Sequence, residues 1–146
     1  MFMHLLMIKK FCRIHTLSRA VWDAGFPANR RYIHVELCET NNPRKFAQSV
    51  NNDAIYIASL LHKYHLKPSH AVETQANWSR AKKRSALEDV KEKKAGGLGT
   101  IWSHHEVSDL LGNTTHVDPD HYFVKFGYSM QQFYDLVCQY YYGRNY

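Results

Sequence analysis

Three cysteines, Cys12, Cys38 and Cys138, are all that this 146-residue chain holds, and no two of them form a Cys-x-x-Cys pair. At least one thiol is left over, so neither a disulfide scaffold nor a structural zinc knuckle is indicated. No apolar run approaches the ~20 residues that a membrane-spanning helix needs. A secretion signal is not legible either. In the opening MFMHLLMIKK the lysines follow the apolar residues, the reverse of the usual order, and no small-residue cleavage site comes after. The net charge is +6, and Ser79 to Lys94 alone carries seven basic and three acidic residues. That run lacks the interleaved aromatics and glycines of a nucleic-acid surface. A solvated helix or disordered insert is the plainer reading, and nucleic acid is not the favoured partner.

Hydrophobic residues make up 45% of the chain and aromatics 14%. That is too much for a disordered polymer and enough for the core of one domain. Short apolar or alternating runs predict strands at about Leu5 to Lys9, Arg13 to Thr16 and Tyr32 to Leu37, with a fourth from Thr100 to Ser103. Between the second and third, AGFPAN (Ala24 to Asn29) has turn chemistry in its Gly and Pro. In the third, Ile33, Val35 and Leu37 share one face, while Tyr32, His34, Glu36 and Cys38 share the other. Glu36 in so apolar a strand has two readings that the residues leave open: a solvated face, or a carboxylate facing a cleft.

Asn42-Pro43 opens a helix as cap and first-turn proline, and Phe46, Val50, Ala54, Ile57, Ala58 and Leu61 continue it at helical spacing to about Tyr64. His62, His65 and His70 fall at or beyond its end and are read as exposed, outside any site. Residues 73–95 read as a charged, helix-forming insert that Gly96, Gly97 and Gly99 terminate. Phe133, Leu136, Val137, Tyr140 and Tyr141 predict a closing helix from Met130 to Tyr142.

The chemistry is concentrated in Ile101 to Phe123, IWSHHEVSDLLGNTTHVDPDHYF. His104, His105, Glu106, His116, Asp118, Asp120 and His121 supply imidazoles and carboxylates, the donor set of zinc and related cations, with Ser103 and Asp109 placed to orient them. The spacing is not that of a zinc finger. A His after the strand-like Ile-Trp and an Asp before a Pro, joined by a polar loop, suit an open site. A polar loop without metal is the competing reading of the same residues.

GTIWSHHEVSDLLGNTTHVDPDHYFVKFGYSMQQFYDLV resembles the C-terminal half of the type 2 zinc N-acetylmuramoyl-L-alanine amidases. These are the peptidoglycan amidases of phage endolysins and bacterial autolysins, related to the peptidoglycan recognition proteins. LSRAVWDAG resembles that family's Trp-His-Ala-Gly turn, and RYIHVELCET its central strand with Ile-x-Ile-Glu. The resemblance spans most of the chain as one domain, interrupted by the insert at 73–95. It implies an α/β fold, a mixed central β-sheet packed by helices.

It also implies roles. His104 and Asp118 fall on the second and third zinc ligands, making Zn2+ the cofactor. His116 falls where the family has a Lys or His that stabilises the oxyanion, and Glu36 on the Glu that activates the attacking water. His105 and His121 fall on positions that do not bind metal. Some positions depart from the pattern. Asp23 stands where the turn has His, and Asp120 where Gly commonly follows Asp-Pro. The family's first ligand is a His on an earlier strand, whereas this chain starts 21 residues before Trp22. MHLLMIKKFCRIH looks like the later strand pair, and nothing around His4 or His15 marks either as a substitute. The resemblance therefore implies a domain incomplete at its N-terminus. The expected function is hydrolysis of the amide between N-acetylmuramic acid and L-alanine in peptidoglycan, acting at the cell wall, impaired by the missing ligand. The alternative is a non-catalytic peptidoglycan-binding relic of the same fold.

Overall fold

The computed structural model describes residues 3–7, 10–13, 22, 24–25, 28–30, 32–70, 99–111 and 114–143. The charged insert expected at 73–95, His15, Asp23 and the expected strand ends at 8–9 and 14–16 lie outside the described residues. Three short strands form one mixed sheet in the order β2-β1-β3. β1 (Met3–Met7) pairs antiparallel with β2 (Lys10–Arg13) and parallel with β3 (His34–Leu37), so in backbone register Leu5 is opposite Cys12 on one side and Glu36 on the other. Between β2 and β3, Gly25 turns the chain at a φ of +86°, open to a residue without Cβ. A 3-10 turn over Ala28–Arg30 follows, with Ala24 and Ala28 buried.

Helices make up the rest: α1 (Pro43–Lys63), α2 (His104–Leu111), α3 (Asp120–Val124) and α4 (Met130–Tyr142). The Asn42 side chain accepts from Lys45 N at 3.1 Å and Pro43 takes the first turn, where its missing N–H costs nothing. α4 begins with a capping box in which Ser129 and Gln132 each bond the other's backbone N–H. Ala54 and Ala58 are fully buried on the inner face of α1, small enough for α4 to approach with Phe133 and Val137. Around Phe46 the core is aromatic. Phe126 stacks on it at 4.1 Å, while Tyr122, Phe123 and Tyr128 meet it edge-on. This cluster anchors the segment that follows Asp118.

Helix and strand are both present, but helix dominates, and a central sheet flanked by helices is more than the three described strands display. Two local expectations are corrected. Thr100 to Ser103 is not a strand of the sheet: Ile101 makes only an isolated parallel bridge to His70. His104 therefore does not follow a strand, nor is the stretch after it all loop, because α2 starts at His104 itself. The cause is local. The Ser103 hydroxyl accepts from Glu106 N at 3.0 Å and the Glu106 carboxylate accepts from Ser103 N at 2.8 Å, a reciprocal cap that nucleates a helix.

Candidate functional site

α2 is the scaffold of the site. His104 occupies its first position, its side chain mostly buried, and the loop carrying His116 and Asp118 folds back against the same helix. Two bonds hold it there. His105 N donates to the Asp118 carbonyl at 3.0 Å, satisfying an amide that the helix start leaves open, and Ser108 Oγ donates to the His116 carbonyl at 2.9 Å. On the other side, Thr40 N donates to the Tyr122 hydroxyl at 2.8 Å, and His121 and Lys125 pair with Glu39 at 3.1 and 3.4 Å. These contacts tie the exit of β3 to α3, and so bring Glu36 to face Asp118 and His104.

His104 Nδ1 lies 2.6 Å from Asp118 Oδ2 and 3.7 Å from Glu36 Oε1. His116 Nδ1 lies 3.7 Å from Asp118 Oδ1, and the His104 and His116 rings are 5.6 Å apart. One donor atom from each of His104, His116 and Asp118 falls within 4.8 Å of the other two. Two imidazoles and a carboxylate are a donor set that suits zinc, so the residues present fit such an ion. Burial alone would push the Asp118 carboxyl up. The hydrogen bond with His104 and the charges of His104 and His116 outweigh it and hold the group below the usual carboxylate range, ionised and ready to ligate. The proton that Nδ1 of His104 shares with Asp118 must leave before that nitrogen can bind a metal.

Glu36 opens onto a cavity of about 680 Å³ that Tyr32, His34, Trp102, His104 and Asp118 also line. Of the remaining candidates, His105 turns to Asp109 (3.6 Å) and Asp120 (3.4 Å), and His121 to Glu39, away from the cluster. Of the two residues expected to orient the ligands, Ser103 caps the helix turn that carries His104, whereas Asp109 pairs with His105.

Three residues take places that the reading of the sequence did not give them. His34 is 3% exposed, more buried than Val35 or Leu37, and its ring lies 5.9 Å from that of His104. Its spacing of two from Glu36 put it on the cleft face, and that was the available signal. His70 is not exposed. It is buried at 4% and bonds Glu106 Oε1 at 2.9 Å. Burial pushes the Glu106 carboxyl up, and the bonds from His70 and from Ser103 N offset this only in part. The Ser-x-x-Glu spacing of 103 and 106 was the legible sign of a helix start.

None of the protein-family models matches this sequence. Among curated proteins it is similar to Protein Ami of Listeria monocytogenes, 36% identical over 141 residues, covering 96% of this chain and 13% of that protein. It is also similar to the bifunctional autolysins of Staphylococcus epidermidis (37% over 120 residues) and Staphylococcus aureus (36% over 120 residues), covering 82% of this chain and 7% or 8% of theirs. The chain thus spans a small fraction of the length of these relatives. Among solved structures, the crystal structure of Staphylococcus aureus hydrolase AmiA in complex with its ligand superposes with a TM-score of 0.74 at 31% identity. The match covers 94% of this chain and 57% of that one.

Proposed function

We propose that this chain, which belongs to an N-acetylmuramoyl-L-alanine amidase-like family, is a peptidoglycan hydrolase that cleaves the amide between N-acetylmuramic acid and L-alanine with the help of Zn2+. The observation that carries the proposal is the convergence of His104, His116 and Asp118 within 4.8 Å, with Glu36 3.7 Å from His104. In this reading residues 1–146 form one amidase domain, the three strands belong to its mixed central sheet, and 73–95 is an insert outside the site. The place of action is the cell wall, as the names of the autolysin relatives suggest.

His104 and Asp118 would hold the zinc. When bound, the ion supplies Lewis acidity to the scissile carbonyl and to water. The residues of the chain do the rest. Glu36 takes a proton from the attacking water and passes it to the leaving amine, work typically worth ~10²–10⁴ in rate. His116, half exposed beside Asp118, donates to the oxygen on which negative charge develops. Two protein ligands hold zinc more weakly than three, so if these two of the described residues hold it alone the activity is expected to be weak, and stronger if His116 joins them.

A zinc titration with turnover of purified cell walls tests these assignments. His116→Ala should leave zinc affinity nearly unchanged and slow release of soluble fragments by ~10²-fold or more, as loss of an oxyanion donor does. Loss of zinc binding in that variant would make His116 the third ligand instead. Cell-wall binding without release of fragments, with zinc in excess, would replace the enzyme by a binding relic.

A further inference from the structure

The side chain of Glu106 points away from the donor cluster and into the protein. Its Oε2 accepts from Ser103 N at 2.8 Å, its Oε1 bonds His70 Nε2 at 2.9 Å, and the two side chains are 0% (His70) and 5% (Glu106) exposed. A carboxylate so deep is costly unless its oxygens are bonded, and here each has a partner. His70 is fixed in turn. Its ring stacks on Tyr134 of α4 at 5.0 Å, and its backbone bridges Ile101. The amides of Thr100 and Ile101 both donate to the Ser69 carbonyl, at 2.8 and 3.0 Å. The first turn of α2 is therefore clamped to α4 and to the 69–70 segment through one side-chain pair.

That turn sets where His104 points, because Ser103 and Glu106 fix the residues on either side of it. The other two donors take their positions from the same helix, through His105 N to the Asp118 carbonyl and Ser108 Oγ to the His116 carbonyl. We infer that His70 and Glu106 are positioning residues that hold α2, and with it His104, in register for the metal. The inference rests on the zinc-amidase reading only for what His104 is being positioned to do. A buried pair that merely added stability would leave the geometry of His104 unaffected once the chain was folded.

Zinc competition titrations and the imidazole ¹⁵N–¹H spectrum of His104 in the metal-free chain separate the two roles, with thermal midpoint as a control. Glu106→Ala should weaken zinc affinity roughly 10–100-fold, the usual cost of losing a group that orients a ligand, and shift the His104 ring signals. Glu106→Gln keeps an oxygen for Ser103 N and a group for His70, and should restore both. If Glu106→Ala does not fold, Glu106→Gln combined with His70→Phe leaves no buried charge unpaired. It should weaken zinc roughly 10-fold relative to Glu106→Gln alone. A lowered midpoint with unchanged ring signals would overturn the inference whether or not zinc binds. Ring signals that move as described, in a chain that never binds zinc, would uphold the positioning role and discard the zinc reading instead.

Discussion

At the scale of the residue, two carboxylates sit in opposite surroundings. Glu36 faces the cavity beside His104, and the proposed function gives it the work of moving a proton. Glu36→Gln should keep zinc bound and lose ~10²–10⁴ in turnover, whereas His104→Ala should lose the metal itself. Equal turnover of Glu36→Gln and the parent on purified cell walls would remove Glu36 from the chemistry. Asp53 is different. It is buried on α1 with Oδ1 lacking a hydrogen-bond partner, and burial pushes its carboxyl from 3.8 up to about 8. The folded chain keeps a proton that the unfolded chain gives up. The stability this contributes is complete below the ordinary carboxylate range and is lost as pH rises through about 8, by at most ~1.4 kcal/mol per pH unit. Urea unfolding of Asp53→Asn and the parent should therefore shift in favour of the variant between pH ~5 and ~8; a constant difference over that range would show Asp53 ionised in the fold. His104, His116 and Asp118 were legible as site candidates because chemistry at unusual density stands out in a sequence, whereas Glu36 stayed open between two readings until the resemblance singled it out. His70 was not. Its burial depends on Tyr134 and Glu106, which are 64 and 36 residues away.

Among the elements, the long helices were the readable part. α1 and α4 have strong apolar stripes and capping residues, so they begin and end where their patterns do. Thr100 to Ser103 misled because Ile-Trp reads as extended until the cap formed by Ser103 and Glu106 is weighed against it. The end of α1 carries a testable cost. His65 sits at a φ of +55°, while Leu66 N bonds the Leu61 carbonyl at 2.9 Å and His65 N bonds the His62 carbonyl at 3.2 Å, the pattern that usually places Gly at this position. His65→Gly should stabilise the chain by about 1 kcal/mol and raise the thermal midpoint without changing zinc affinity. A lower midpoint would mean that the ring of His65 contributes packing that outweighs its backbone strain.

For the whole molecule, the described strands and helices put β3, α2 and α3 around one cavity, and the likeness to AmiA covers 94% of the chain at a TM-score of 0.74. The sheet was the least readable part of the fold. Strand pairing is long-range, and the parallel register of β1 on β3 joins residues about 30 positions apart without any local mark. The relatives are far longer than this chain, so what these 146 residues do unaided is the question that matters most. It is answered by incubating the chain with purified peptidoglycan and excess Zn2+ and identifying the new chemical ends by mass spectrometry. The expected result is a free amino group on L-alanine and no new reducing sugar, abolished by a chelator and by His104→Ala. New reducing ends without alanine amines, or alanine amines released equally well by His104→Ala, would contradict a zinc amidase built on this cluster.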